Sequence, residues 1–380
     1  MISFQISEEQ AQLVEMARRF TKERIIPIAA ECDRDARFPV DAFRAAWELG
    51  LVNPTIPNEY GGAGLGELDN ALIAEQLAYG CTGIQTSMLA NTLALTPILL
   101  AGNEEQKKKY LGMLTSEPVF ASYCTTEPTG GSDVAGLRTR FVKKGDDYVL
   151  TGEKSWITNA SLASFYVVFA TSDPESRHKG IAAFIVDRES AGLTIGKHED
   201  KMGQRASDTA AVSFEEVVVS KNNMIAPEGA GFKLAMETFN QTRPDIGAMA
   251  TGLQQRCLDE SLAYAKERKT FGQAIIEHQM IQAMIADMAI GTEATRLLYQ
   301  KAAWNLDSGS RDPIISSYAK AYGADRAMQT AIDAVQVFGG NGYVKDYPVE
   351  KLMRDAKILQ IYEGTSQIQR IVIARALARG

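Results

Sequence analysis

Phe165-Tyr-Val-Val-Phe169 and Ile181-Ala-Ala-Phe-Ile-Val186 decide the class of fold. They are short runs of β-branched and aromatic residues in a chain whose two ends repeat apolar residues at helical spacing. Tyr148-Val-Leu-Thr151 and Ala211-Val-Ser-Phe214 have the same character, so about Val119 to Val219 reads as strands. Upstream, from Ser7 to about Leu114, apolar residues recur three and four positions apart, as in Leu13-Met16-Ala17-Phe20 and Phe43-Ala46-Leu49. Loops interrupt that pattern at Pro54-Thr-Ile-Pro57 and Gly61-Gly-Ala-Gly-Leu-Gly66. Downstream of Gly229-Ala-Gly-Phe232 helical spacing resumes, predicting helices over Ala248 to Arg268, Gln279 to Leu306, Ile314 to Phe338 and Thr365 to Ala378. Segregated rather than alternating elements predict an α+β fold and argue against Rossmann or TIM arrangements. The expected division is an N-terminal α-helical domain over 1–117, a middle β domain over 118–228 and a C-terminal α-helical bundle domain over 229–380.

With 380 residues and 45% hydrophobic content, the chain can bury a large core in two or three packed units. Charged residues make up 23% and the formal net charge is −7, so no general field attracts nucleic acid or anionic lipid. Cys32, Cys81, Cys124 and Cys257 lie far apart with no CxxC pair, which suits a reducing compartment. His178, His198 and His278 have no neighbour at metal-ligand spacing, so no metal is expected. The start, Met1-Ile-Ser-Phe-Gln-Ile-Ser-Glu-Glu-Gln10, has neither a signal-peptide nor a transit-peptide character, and a cytoplasmic location is expected, with the mature form of an organelle-matrix protein as the alternative. Apolar runs such as Leu89 to Ala101 are broken by Asn91, Thr92 and Pro97 and fall short of the roughly 20 residues of a membrane span.

Five segments carry chemistry. Tyr123-Cys-Thr-Thr-Glu-Pro-Thr-Gly-Gly-Ser-Asp133 runs from a strand into a turn of hydroxyls, glycines and free amides, which is either an ordinary Pro/Gly turn or a phosphate cradle. Lys154-Ser-Trp-Ile-Thr-Asn159 ends a strand with an indole and a hydroxyl, suited either to core packing or to a flat aromatic cofactor. Glu267-Arg-Lys-Thr-Phe-Gly272 and Gln336-Val-Phe-Gly-Gly-Asn-Gly342 read as helix ends capped by glycine, or as donors to a ligand. In Ile361-Tyr-Glu-Gly-Thr-Ser-Gln-Ile-Gln-Arg370, Ser366 and Gln369 form a capping box that starts a helix, with Glu363 just ahead of it. Glu363 stabilises the helix dipole or acts as a base; Gly364 lets a ligand approach, and Tyr362 can wall off water.

Taken jointly and in this order, these segments resemble the acyl-CoA dehydrogenase family, and its medium-chain members most closely, from near Phe4 to Arg375. The resemblance implies FAD as cofactor, fatty acid β-oxidation as the setting and a C-terminal domain built as a four-helix bundle. Glu363 matches the family's base, which takes the α-proton of an acyl thioester while flavin N5 accepts a hydride from the β-carbon, giving a trans-2-enoyl-CoA. Tyr123, Thr125, Thr126, Gly131, Ser132, Trp156, Ile157 and Thr158 match positions that line FAD, with Ser132 also touching CoA. Arg268, Thr270, Phe271, His278, Gln279, Gln336, Gly339 and Gly340 match positions that reach the FAD of a neighbouring subunit, which implies a homotetramer; Thr365 and Gln367 complete that set. The family's donors to the thioester oxygen are the backbone N–H of the base and a ribityl hydroxyl of FAD.

For the substrate, the resemblance points to Asn240, Thr242, Arg243, Tyr362, Gly364 and Arg375, and to Leu89 at the base of the acyl pocket. Arg243 reads either as a phosphate or adenine-proximal contact or as a solvated cation at a helix start, and Asp245 as an acid in that helix's first turn. Three departures separate this chain from the medium-chain pattern: Asn240 in place of an acid, Leu89 in place of a glutamate, and a shorter Ser172-to-Lys179 loop. The expected activity is dehydrogenation of straight short- to medium-chain acyl-CoA, with electrons passed to an electron-transfer flavoprotein. A same-fold oxidase is disfavoured because the chain stops at Gly380, and a branched- or cyclic-acyl dehydrogenase is the alternative. A non-enzymatic flavoprotein scaffold would need a lost base or a basic face.

Overall fold

The computed structural model describes residues 5–310 and 312–378; Phe4 and Gly380, invoked above, lie outside the described residues. The first helix, α1 (Glu8–Phe20), starts on Ser7, whose hydroxyl accepts from Gln10 N while the Gln10 side chain returns the bond. A π turn at Thr21–Ile25 leads into α2 (Ile26–Arg34), followed by α3 (Val40–Glu48). Next come α4 (Glu67–Gly80) and α5 (Thr82–Ala101), both apolar nearly all round because they are covered on most sides. At 20 residues α5 is longer than the broken run from Leu89 suggested. Among the described residues it is the one helix apolar and long enough to cross a bilayer, yet 72% of its apolar window is buried inside the protein. Two short helices, α6 (Glu104–Gln106) and α7 (Gly112–Ser116), close this part.

Eight strands then form one sheet: β1 (Phe120–Cys124), β2 (Arg140–Lys144), β3 (Asp147–Thr158), β4 (Ala163–Thr171), β5 (Ile181–Asp187), β6 (Leu193–His198), β7 (Thr209–Val219) and β8 (Met224–Ala226). Their order is β6-β7-β3-β2-β4-β5-β8, with β1 paired in parallel to β4. The two runs quoted at the outset are β4 and β5, adjacent and antiparallel, with Phe165 opposite Asp187 and Thr171 opposite Ile181. Both are buried on both faces, which is why they read as continuous apolar runs. Phe165, Val167 and Phe169 face a core shared with Leu95 and Ile98 of α5, whereas Tyr166, Val168 and Ala170 face one shared with Phe184, Val212 and Phe214. The period of two thus lets one strand serve two cores.

The third part opens with α8 (Gly231–Glu267), 37 residues long. A small hairpin, β9 (Lys269–Thr270) and β10 (Gln273–Ala274), separates it from α9 (Gln279–Asp307) and α10 (Pro313–Phe338). The helices α11 (Val349–Leu359) and α12 (Ser366–Leu377) complete the chain. The three long helices pack on one another, α11 joins them against α10 and α8, and α12 lies on α10. Because α4 and α5 also pack on α8, the first and last parts of the chain share a wall.

Two expectations change here. The helix predicted from Ala248 begins at Gly231 and runs through Pro244, so Arg243 and Asp245 are not at a helix start. Proline removes one hydrogen bond, to the carbonyl four residues back, but Leu234 and Ala235 on the preceding turns are buried against Phe169, Ile181 and Ile225, and that packing carries the helix across. Second, the N-cap of α12 is Thr365, whose hydroxyl accepts from Ile368 N at 3.1 Å, rather than Ser366. Ser366 Oγ instead donates to Asp325 Oδ1 of α10 at 2.9 Å.

Candidate active site

Glu363 stands at φ 56° and is followed by Gly364 at φ 86°. The left-handed region is costly for a residue with a side chain, so such a turn persists only when its surroundings over-determine it. They do. Gln369 Nε2 donates to the carbonyls of Glu363 (3.1 Å) and Gly364 (3.0 Å), and Lys320 Nζ of α10 donates to Gly364 O at 2.6 Å. Glycine at 364 meets the positive φ, and a Cβ there would come within 2.6 Å of Gln369 Nε2, displacing the end of that clamping side chain. Gln369, expected to cap α12, therefore clamps the turn that carries the acid.

The carboxylate itself is held from α8, where Thr242 Oγ1 donates to Glu363 Oε2 at 2.9 Å. Arg243 and Lys320 add positive charge nearby. Even so, burial dominates and pushes the Glu363 carboxyl up to about 7, the Thr242 bond and the two cations offsetting only part of it. Burial likewise brings Lys320 down to about 7 against the pull of Glu363. Arg243 is 5% exposed, its Nε lacks a hydrogen-bond partner, and Glu363 is the acid that acts on it. It is consequently not a solvated helix-start cation. Asp245 is also buried, at 1% exposed, rather than an ordinary surface acid.

Tyr362 is positioned by the loop between β6 and β7: Gln204 Nε2 reaches its hydroxyl at 3.5 Å, and Thr86 Oγ1 of α5 donates to Gln204 Oε1 at 2.7 Å. Lys320, Gln204 and the clamping role of Gln369 escaped sequence reasoning. The one local signal for Lys320 is a lysine flanked by Ala319 and Ala321 on a helix where its neighbours are buried.

On the side facing β1, Tyr123 feels the charge of Glu363 and packs edge-on against Phe239 of α8, with ring centroids 5.5 Å apart. Burial raises its phenol well above the usual range; the nearby Thr125 hydroxyl slightly offsets this. Yet neither Tyr123 Oη nor Thr125 Oγ1, both buried, makes a hydrogen bond of sound geometry. Behind this turn, Lys154 Nζ donates to Glu127 Oε1 (2.8 Å) and Thr125 O (3.2 Å), and Glu127 accepts from Thr139 N at 2.8 Å. That ion pair is almost wholly buried and pins the turn to β3. Ser155 N also donates to Thr126 O, bringing Thr126, Gly131 and Ser132 alongside Trp156 to Thr158. Trp156 is 60% exposed at φ 61°, presenting its indole outward, while the Ile157 side chain points into the sheet core and leaves only its backbone for a ligand. Two orphaned hydroxyls, an outward indole and an exposed glycine turn fit a flat ring with a polyhydroxyl and phosphate tail.

A second group gathers at the other end of α8. Thr270 Oγ1 lies 3.0 Å from His278 Nε2, and Phe271, 97% exposed, meets the His278 ring edge-on. Tyr264 stacks on Phe338 at 4.1 Å and accepts from Asn341 Nδ2, so Arg268, Gln279, Gln336, Gly339 and Gly340 share that end. From Thr242 to Glu267 is 25 residues of helix, about 38 Å. Within one chain the two groups cannot reach the same small molecule. Thr365 and Gln367 lie at the start of α12, and Arg375 is exposed nine residues along that helix from Ser366, about 14 Å. Leu89 of α5 packs with Ile246 and Met249 of α8, but Asn70, Gln85 and Thr92 share the recess it lines, so the surroundings are more polar than that leucine alone suggests. A wider groove between Met16, Arg19, Glu23 and Leu49 lies on the outer helices and contains none of these residues.

The helical, β, helical order and the Glu363 carboxylate buried on a strained turn beside an outward aromatic shelf agree with what known proteins show. The chain belongs to the acyl-CoA dehydrogenase family: it matches the N-terminal domain over residues 7–118, the middle domain over 122–217 and the C-terminal domain over 229–378. It is 49% identical over 379 residues to a probable medium-chain specific acyl-CoA dehydrogenase 2, mitochondrial, of Caenorhabditis briggsae, covering 99% of this chain and 92% of that one. Among solved structures, butyryl-CoA dehydrogenase from Megasphaera elsdenii superposes with a TM-score of 0.97 at 36% identity over the whole of both chains. A chain from a study of the electron transferring flavoprotein of Acidaminococcus fermentans does so with 0.97 at 40% identity, again over both full lengths. This family is FAD-dependent.

Proposed function

We propose that this acyl-CoA dehydrogenase removes two hydrogens across the α,β bond of a short- to medium-chain acyl-CoA, with Glu363 as the base and a trans-2-enoyl-CoA as product. FAD, when bound, would supply the acceptor for the β-hydride and hand the electrons to an electron-transfer flavoprotein. The observation that carries this reading is the Glu363 carboxylate itself, fixed by Thr242 at 2.9 Å on a turn clamped by Gln369 and Lys320. Its carboxyl, pushed up to about 7, is matched to proton abstraction near neutral pH. The Glu363 backbone N–H would stabilise the charge that develops on the thioester oxygen. Tyr362 shields the base, and Gly364 allows the thioester to approach. Tyr123, Thr125, Ser132 and the outward face of Trp156 would hold one side of the cofactor. Arg268, Phe271, His278, Gln336 and Gly340 gather beyond the C-terminal end of α8, about 38 Å along that helix from Thr242, and would serve the cofactor of a second copy, as a homotetramer would require.

The test is anaerobic. Acyl-CoA thioesters of four to twelve carbons are mixed with the purified yellow protein, and the visible flavin band is followed. Bleaching without oxygen, reversed by electron-transfer flavoprotein, is the expected result. No bleaching with any thioester overturns the assignment, and reoxidation by oxygen alone at the same rate makes the chain an oxidase.

A further inference from the structure

Glu363 is held on its C-terminal side by the clamp of Gln369 and Lys320 on the carbonyls of residues 363 and 364. On its N-terminal side the hold runs through Tyr362, whose hydroxyl meets Gln204 Nε2 at 3.5 Å and lies against the Thr86 hydroxyl. Gln204 in turn is fixed by a carboxylate inside the protein. Asp355 of α11, fully buried, accepts from the Gln204 backbone N–H, from Thr82 Oγ1 of α5 at 3.2 Å and from Lys351 Nζ at 2.5 Å. Lys351, one turn earlier on α11, also donates to Cys81 Sγ at 3.2 Å. The loop that carries Gln204 packs directly on that helix: a Cβ on Gly203 would lie 2.2 Å from Arg354 O. Gln204 stands at φ 46°, a conformation that persists only where neighbours over-determine it. A buried ion pair is in itself weak evidence for stability, because apolar groups of similar volume often serve as well. This one ties α5, α11 and the loop between β6 and β7 together at the residue that touches Tyr362.

We propose that Asp355 is a positioning residue for the dehydrogenation: by anchoring Gln204 it fixes the Tyr362 side chain, and through the Tyr362–Glu363 peptide it sets the direction in which the Glu363 carboxylate meets the thioester. The proposal rests on Glu363 being the base. It adds to that reading a fully buried residue that acts through two others. The contacts run from Lys351 to Asp355 to Gln204 to Tyr362, and Thr86 braces the amide by donating to Gln204 Oε1 at 2.7 Å. Misplacing reacting groups by about 1 Å can cost roughly 10²-fold in rate, so a loosened Tyr362 should be read in the chemical step. It should not be read in the proton affinity of the base, because the groups that act on Glu363, namely Thr242, Arg243 and Lys320, lie on α8 and α10.

The experiment takes the FAD-loaded oligomer and the best thioester of the series named above. It reads the limiting rate of anaerobic flavin reduction, the thioester concentration at half that rate, the pH profile and the thermal midpoint. Lys351→Met with Asp355→Asn removes both charges and keeps a side-chain oxygen for the Gln204 N–H, so its limiting rate should stay within about threefold of wild type. Lys351→Met with Asp355→Leu removes that oxygen as well and should lower the limiting rate by about 10- to 100-fold, with half-saturation little changed and the acid limb still at about 7. Equal rates in the two pairs, or an acid limb that shifts, overturn the proposal. Gln204→Asn decides the matter if the Asp355→Leu pair does not fold: it keeps the backbone N–H, tolerates a positive φ and is one methylene too short to reach Tyr362. Gln204→Asn and Tyr362→Phe should each slow reduction by about tenfold, and together no further than either alone, because they break one chain of contacts. Unaffected rates, or effects that multiply, overturn the proposal. Glu363→Gln run alongside separates the two readings: flavin reduction at the wild-type rate in that variant means that the base reading has failed, whereas a slow Glu363→Gln beside a normal Gln204→Asn means that only the positioning has.

Discussion

Glu363 sits where opposing influences nearly balance: burial raises its carboxyl, while Thr242, Arg243 and Lys320 pull it down, leaving it at about 7. A base works only when deprotonated, so kcat/KM should be low on the acid side and climb as pH rises through about 7 toward a plateau. Removing a cation that favours the ionised form must raise that value. Lys320→Met should accordingly move the acid limb to higher pH, as read from a pH–rate profile; an unchanged or lowered limb would assign Lys320 to holding the Gly364 carbonyl alone. Glu363→Gln keeps the shape and removes the proton acceptor. Anaerobic stopped-flow should show flavin reduction slowed by roughly 10²–10⁴-fold or more, with FAD content retained; reduction within about tenfold of wild type would mean another group is the base.

At the scale of elements, two contacts hold the site on its scaffold. Thr365 caps α12 through Ile368 N, and Thr365→Ala should cost about 1 kcal/mol and lower the thermal midpoint modestly. The Lys154–Glu127 pair beneath the β1 turn is a different case, because both partners are buried. Lys154→Met leaves a carboxylate with only backbone donors and should cost about 3–5 kcal/mol. Adding Glu127→Gln should restore part of the lost midpoint in differential scanning calorimetry, and a double variant no better than the single would show that packing, not charge, is at stake.

For the whole molecule, the length of α8 is decisive. Thr242, beside Glu363, and the C-terminal end of α8, just before Arg268, are about 38 Å apart along the helix, so a second copy is expected to bring the two halves of the cofactor site together. Arg268→Ala should weaken FAD retention on dialysis even though Arg268 is remote from Trp156 and Glu363 in its own chain. Light scattering should find an oligomer that holds FAD; a monomer with full FAD content would refute the shared site. Exposed Phe271 at the tip of the β9–β10 hairpin, at φ 50°, suits burial against such a partner.

Much was legible from residue order alone. Helical spacing before Leu114 and after Gly229, and the runs that became β4 and β5, depend on dihedral preference and local patterning, so the helix, strand, helix order followed directly. Glu363 could be singled out because Tyr362 and Gly364 are its immediate neighbours. What depended on distant residues was not legible. Thr365 and Ser366 are adjacent hydroxyls with equal local claims to the cap, and Asp325, 41 residues away on α10, decides by taking Ser366. Pro244 looks locally like a helix start, but packing of the preceding turns against the sheet continues α8 through it and buries Arg243 and Asp245. Lys320 and Gln204 reach the site from elements with no sequence relation to it. Local periodicity is a property of neighbours along the chain, whereas burial, charge balance and hydrogen-bond partnership are sums over neighbours in space, and only the tertiary structure determines those.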